Sequence, residues 1–439
     1  MRLPEGMDSK NTAWQQHGPD SLHSWLTAAA CALSTFFAVG GMRSSGFLYV
    51  AIVDRFGVSR AEASWPIVLM GGVLLLSGLL SGPLAHRFTA RPVVIVGGII
   101  SASGMLLCYF ATSATHLTVT LGIMHGLGSG MVFVMNTTFI NEHFVKYKGL
   151  AMGINFAGST MGTFVFPKLL EYLTRKYGLN SALLIFSAIT LHSVAFSLFL
   201  RQPTWLKKKE VANSRNFLYG LTVFKSGMFY VVMYSYIAFN LCFDTYISLL
   251  VDFAKDKGLS TSSAVTVLSL SSVADLAGRL TLPAVADRGV ISRSTLLVCS
   301  FMVMSGLYVA MPLTDSFVSV LAVATSMAFV IGTSVVLFSV LLAEYLGLDR
   351  VAMAYGMVTA SAGILSFGKP FVIGYFRDQT GSYDPLFRGC GIVVLSAVLV
   401  WTVALLRNKI KSHTWTVDEI KSKAPITISI ISTKCDAQK

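Results

Sequence analysis

The chain is short of charge. Of its 439 residues, 13% are charged and 54% are hydrophobic, and the mean hydropathy is +0.67. A soluble domain carries about 25% charged residues. This composition excludes a surface covered by ordinary solvated side chains, so lipid is the expected solvent. Cysteine is scarce as well. Cys31, Cys108, Cys242, Cys299, Cys390 and Cys435 are scattered without paired spacing, and all but Cys435 lie in apolar stretches. That pattern excludes a disulfide framework or a metal site and reads as small core residues. The first 24 residues lack an apolar core. No cleaved leader is therefore expected, and the first helix serves as the insertion signal. His125, His143 and His192 form no recognisable motif, which argues against an intramembrane enzyme such as an acyltransferase. With no covalent chemistry required, no cofactor and no metal is expected.

What the chain has in abundance is long apolar runs. A membrane helix needs about 20 apolar residues to cross about 30 Å of hydrocarbon. The runs predict spans at 25–51, 62–85, 92–112, 116–140, 147–172, 180–200, 226–251, 261–286, 293–313, 316–343, 351–376 and 386–406. The polar segment 201–225, with RQPTWLKKKE at its start, divides them into two sets of six. The expected organisation is an N-tail 1–24, a six-helix bundle 25–200, a linker 201–225, a second bundle 226–406 and a C-tail 407–439. The net charge is +13. With the N-terminus placed in the cytoplasm, 22 Lys and Arg fall in inside loops and tails and 8 in outside loops. That bias predicts both termini inside, and it makes the positive charge an orientation signal, not a sign of nucleic-acid binding. The basic tail suits anionic lipid or a trafficking partner. Linker and tail are too short for the signalling domain that a transporter-like sensor often carries; a flux measurement separates sensor from carrier.

The two halves repeat. The loop after the second span reads GPLAHRFTARPVVIVGG and the loop after the eighth reads LPAVADRGVISRSTLLV. Each has an Arg near its start and another near its end. They resemble the loop motif of the major facilitator superfamily, Gly-x-x-x-Asp-Arg-x-Gly-Arg-Arg. The second copy keeps Asp287 and Arg288, with Arg293 at its end. The first has His86 for the acid and Thr89 for the glycine, beside Arg87 and Arg91. The expected role of both loops is to pin helix ends by charge and helix dipole, which sets gating and not substrate identity. Parallel halves of this kind place a substrate site between them near the midplane. Gly122, Gly126 and Gly130, and Gly158 with Gly162, recur at four-residue steps and predict close helix packing.

Several charges fall inside the spans, where each costs several kcal/mol and marks a functional candidate. Asp275 and Arg279 in SSVADLAGRLTLP are four apart and share one helix face. Either the Asp takes a proton while the Arg holds an anionic group, or the two simply neutralise each other. Arg suits a carboxylate because its planar fork binds bidentately and stays charged. Arg43, in GGMRSSGFLYV, has no acid within a turn; its partner is another helix, a substrate or the outer interface. Asp244 also lacks a local partner, with Arg43 and Lys369 as its cross-bundle choices. Lys168 and Glu171 lie near a helix end, and His125 reads as a packed core histidine.

The run FVKYKGLAMGINFAGSTMG, 144–162, resembles the fifth-helix signature of the monocarboxylate transporter family through Leu150, Ala151, Gly153, Ala157, Gly158, Ser159 and Gly162. FGVSRAEASWPIVL, 56–69, is similar to the family's entry into the second helix. FGKPFVIGYFRDQTGSYDPLF, 367–387, resembles a third motif through Pro370, Gly374, Asp378, Gly381 and Tyr383. Asp275 and Arg279 match the family's eighth-helix Asp-x-x-x-Arg pair. The first-helix signature Pro-Asp-Gly-Gly-Trp-Gly-Trp survives here as Pro19, Asp20 and Trp25 only. The resemblance implies an all-α membrane protein of the major facilitator fold, with twelve helices in two halves. It implies a plasma-membrane carrier of a small organic monocarboxylate, working by alternating access. Arg279 would hold the carboxylate, Asp275 would be the proton switch, and Arg43 would face them. Phe338 would supply the aromatic residue the family places on the tenth helix. Some members need a single-pass glycoprotein chaperone, and nothing in this sequence identifies one. Proton-linked lactate-type members carry a Lys where this chain has Arg43. An Arg keeps its proton, so a lactate-plus-proton cycle in which that Lys changes partners fits poorly. Family members for aromatic amino acids, thyroid hormones, creatine or carnitine stay open.

Overall fold

The computed structural model describes residues 18–203, 205, 220–368, 372, 375, 376 and 382–407. The side chains of Arg60, Ala61, His86, Thr261 and Val265 are not described. The structure is helical, and we number its spans α1–α12. In the first half, α1 has three pieces, Leu22–Ala38, Gly40–Arg43 and Ser45–Phe56. α2 has two, Arg60–Leu76 and Gly78–Phe88. α3 is Ala90–Leu107, continued by a 3₁₀ turn to Phe110. α4 runs through Ala114–Leu117, a π-helical stretch Thr118–His125 and Gly126–His143. α5 is Lys148–Tyr177 and α6 is Leu179–Leu198. In the second half, α7 is Gly227–Asp256, α8 Thr261–Asp287, α9 Arg293–Ala310, α10 Phe317–Leu346, α11 Val351–Ser366 and α12 Asp384–Arg407.

Among the described residues, nine helices are long and apolar enough to cross a hydrocarbon layer. The other spans have visible reasons for falling short. α1 is broken, α11 is described only to Ser366, and α5 carries Lys148, Lys168, Glu171, Arg175 and Lys176. Serine opens many of the helices. Ser59, Ser260, Ser292 and Ser316 each accept a hydrogen bond from the backbone N–H three residues on, the N-cap geometry that satisfies an otherwise orphaned donor. Thirty residues at 1.5 Å make α5, α7 and α10 about 45 Å long. They overrun the hydrocarbon, which is why hydropathy alone placed the ends of α5 and α7 about five residues early. α10 is central: nearly all of its inner length, from Val330 to Ala343, is buried. The first span departs most from expectation. One helix over 25–51 was predicted; the chain instead breaks at Val39 and again at Ser44, on either side of Arg43. Lys369, Pro370, Gly374, Asp378 and Gly381 lie outside the described residues, as does 206–219 of the linker.

The halves meet backbone to backbone at the end where α1 begins and α12 finishes, here called the terminus side. A Cβ placed on Gly78 would stand 2.2 Å from the Gly356 carbonyl oxygen, joining α2 to α11. One on Gly153 would stand 2.1 Å from the Arg279 carbonyl oxygen, joining α5 to α8. Within the first half, Gly122, Gly126 and Gly130 lie against Pro66, Met70 and Leu74 of α2, and Gly158 against Ala32 of α1. Here small residues let polar backbones approach where lipid offers no hydrophobic drive.

The loop after α8 adds a polar latch to this seam. Asp287 accepts hydrogen bonds from the Gly149 and Leu150 N–H groups at 3.0 and 2.8 Å, capping α5 of the other half. Arg293 Nη2 holds Asp287 at 2.7 Å, and Arg293 Nη1 bonds Glu344 of α10. Asp20 grips the same corner, accepting from the Val145, Lys146 and Tyr147 N–H groups. The loop after α2 is built otherwise. Arg91 Nη2 donates to the Leu198 carbonyl at 2.9 Å, Arg87 lies over Phe88, and Arg288 of the second loop is exposed. Thr89 has φ +76, a region that favours glycine and strains a β-branched residue, so the missing motif glycine leaves its mark. Removing one charge-assisted bond costs about 1.5–3 kcal/mol. Asp287→Asn should therefore loosen the latch. Maleimide labelling of a cysteine placed at Ala286 should speed up about tenfold in that background. An unchanged labelling rate would mean that Asp287 does not hold the halves together.

Candidate functional site

Beside this seam the halves enclose a cavity of about 650 Å³. Its wall takes residues from α1, α2, α4 and α5 of one half and α7, α8, α10 and α11 of the other. The wall is mostly apolar, with a few polar groups converging, which is the usual make-up of a small-molecule site.

Arg43 enters from the short turn Gly40–Arg43 between the two breaks in α1. Its Nε and Nη2 both donate to Ser159 Oγ on α5, at 3.0 and 2.6 Å. The partner sought for it in the sequence is thus a neutral hydroxyl, and the guanidinium keeps its charge for the cavity. Arg279 enters from α8. Its Nε donates to Asp275 Oδ2 at 2.8 Å, with the Arg side chain 4% and the Asp side chain 14% exposed. Thr160 Oγ1 donates to the same Oδ2 at 3.1 Å, while Asp275 Oδ1 is buried without a hydrogen bond among the described residues. Arg279 makes no further hydrogen bond among the described residues, so both its Nη groups remain as donors.

Asp244 lines the same cavity. It closes a polar stripe on α7, in which Tyr236, Asn240, Asp244 and Ser248 all reach the wall. They recur every fourth residue, the spacing of one helix face. The four-residue spacing of this stripe is legible in the sequence, and the structure adds Tyr236, Asn240 and Ser248 to Asp244. Ser159 and Thr160 were missed because they sit in a glycine-rich run that reads as packing. Both do pack, and their hydroxyls also hold the two charged residues. Phe338 departs from expectation. It is fully buried behind the wall, with ring centroids 5.0 Å from Tyr236 and 5.3 Å from Phe239. The rings lining the cavity are Phe133, Phe156, Tyr236, Phe239 and Phe243, and α10 reaches the wall through Val335 instead; Tyr236 and Phe239 pack over Phe338. His125 is a core histidine as expected, its Nδ1 2.9 Å from Ser101 Oγ. The gating-loop residues stand apart from the cavity, at the terminus side.

Comparison with known proteins agrees with this architecture. The family model described as Major Facilitator Superfamily matches residues 31–367. Monocarboxylate transporter 13 of Bos taurus is 29% identical over 397 residues, which span 88% of this chain and 91% of that protein. Monocarboxylate transporter 12 of Homo sapiens is 24% identical over 443 residues, spanning 93% of this chain and 85% of that protein. Among solved structures, the transporter FucP in its outward conformation superposes with a TM-score of 0.70 at 15% identity, over 86% of this chain and 98% of that one. The human organic anion transporter MFSD10 does so with a TM-score of 0.66 at 13% identity, over 86% and 98%. At such identities the two structures speak for the fold alone. The protein is a membrane transporter and not an enzyme, and it belongs to the major facilitator superfamily, within its monocarboxylate transporter family.

Proposed function

We propose that this protein carries small organic monocarboxylates, or solutes related to them, across the plasma membrane by alternating access. The observation that carries the reading is that two arginines from opposite halves, Arg43 and Arg279, line one cavity at membrane depth. Both retain unused guanidinium donors, and such donors bind carboxylates in a planar, bidentate way. A substrate held by both would tie the halves together, which is what the step from one open side to the other requires. The excess of basic residues on the terminus side would place both termini in the cytoplasm, so the described state would open outward. The assembly partner that some relatives require stays open to test by co-purification.

Asp275 is the proposed proton switch. A carboxylate engaging Arg279 competes with Asp275 for the same cation, so substrate binding is coupled to the charge on Asp275. Uptake of labelled acids into oocytes or vesicles, at two external pH values and with or without sodium, tests the whole proposal. At least one monocarboxylate should show saturable uptake, and its rate should rise as external pH falls. Asp275→Asn should flatten that pH profile. If no acid in the panel enters saturably, the substrate class is wrong. If the wild-type rate ignores pH, proton coupling is excluded. A second reading, facilitated passage of a zwitterion such as an aromatic amino acid, has its own support. Arg43 and Asp244 line one cavity with opposite charges, beside Tyr236, Phe239 and Phe243. Thyroid hormone, creatine and carnitine fall within the same alternative.

A further inference from the structure

A second, smaller cavity of about 200 Å³ lies behind the first, between α7 and α12. Its wall is apolar and includes Leu241, Thr245, Leu386 and Val393, and two thiols, Cys242 and Cys390. These cysteines are free, and they come from helices 148 residues apart in sequence. Cys242 Sγ donates to the Cys390 carbonyl oxygen at 3.6 Å, so the two cysteines meet across the α7–α12 contact. Nothing in the transport reading uses them. The sequence shows two unrelated core cysteines; the fold brings them into the wall of one apolar cavity.

We propose that Cys242 and Cys390 form a dithiol site that captures neutral trivalent arsenicals dissolved in the bilayer. Thiol sulfurs are soft ligands and select soft elements. An aryl arsenoxide condenses with two thiols: two S–H bonds and the As=O bond break, two As–S bonds form, and water leaves. Arsenic stays trivalent, so no oxidant or reductant is needed. The aryl group has somewhere to go, since apolar cavities of about 150 Å³ accept a benzene molecule. Two thiols in the wall of one cavity give the second As–S bond the advantage of an intramolecular step. The site also has a route to the transport machinery. Cys242 lies two residues from Asn240 and from Asp244, and two residues turn a helix by about 200°. An adduct there braces α7 from the face opposite the substrate cavity.

The test uses the full chain in liposomes, treated with phenylarsine oxide and read by intact mass. One phenylarsenic per chain should be retained against excess glutathione and released by 2,3-dimercaptopropanol, the mark of a two-thiol complex. Peptide mapping should place it across the segments containing Cys242 and Cys390. Cys242→Ser and Cys390→Ser should each lose retention, while Cys31→Ser and Cys299→Ser should keep it. A wild-type chain that holds no arsenic against the monothiol, or an adduct mapped to other cysteines, overturns the proposal even if a variant fails to fold. Because the readout is the adduct, the result is independent of which solute is carried.

Discussion

Arg279→Ala should abolish saturable uptake, lowering kcat/KM by about 100-fold or more. Truncating one partner of a buried, hydrogen-bonded charge pair costs about 2–5 kcal/mol, and this change also removes the proposed carboxylate ligand. Part of the loss belongs to Asp275, which would be left charged and unpaired in a nearly dry site. The double variant Asp275→Asn, Arg279→Ala separates the two contributions. If stranding the acid is the whole problem, the double variant recovers uptake. If Arg279 binds the substrate, it stays inactive. Arg279→Lys should recover only part of the activity, because an ammonium keeps the charge and loses the planar fork. Protein abundance at the membrane must be matched across the set. Saturable uptake by Arg279→Ala at an unchanged KM would remove Arg279 from the substrate site.

Gly78→Val should block transport by a different route, leaving the cavity chemistry intact. A Cβ at Gly78 would sit 2.2 Å from the Gly356 carbonyl oxygen and 2.6 Å from its Cα. These are backbone atoms of α11, which cannot rotate away as a side chain would. The closed seam on the terminus side becomes unreachable, so the protein should rest with that side open and the far side shut. We expect uptake to fall more than about tenfold, because a state made about 1.4 kcal/mol less favourable is already populated tenfold less. A cysteine at Ser45, on the cavity wall, should become slower to label from the far side. Normal labelling together with normal uptake would show that the seam can close without the Gly78–Gly356 contact.

The legible and illegible features of this protein divide along physical lines. Hydropathy runs and basic loops are properties of local sequence, so the spans and the two-half plan could be read directly. Asp275 and Arg279 were legible because a four-residue spacing on one helix fixes their proximity whatever the fold does. Helix ends were less so. The polar last turns of α5 and α7 belong to helices that continue beyond the hydrocarbon, where hydropathy carries no signal. The breaks around Arg43 lie within an apolar run, and Gly40-Gly41 alone did not announce them. Ser159 could not be assigned because its role depends on Arg43 arriving from another helix. Phe338 shows the reverse error. Its type and position in the helix suit a substrate contact, but Tyr236 and Phe239 of α7 pack over it and line the cavity in its place. The pairing of Cys242 with Cys390 needed α7 and α12 placed side by side.

The latch at Asp287 has a consequence for water. Its carboxylate serves the Gly149 and Leu150 N–H groups at the start of α5, donors that no residue within the helix can satisfy. When the halves part on the terminus side, those donors and the Asp287 oxygens lose each other and must be hydrated at once, since leaving them bare costs as much as the bonds they gave up. In the proposed alternating-access cycle, opening that side would therefore also be a wetting event, and the resting balance between the two faces of the carrier would depend on how readily water enters the seam.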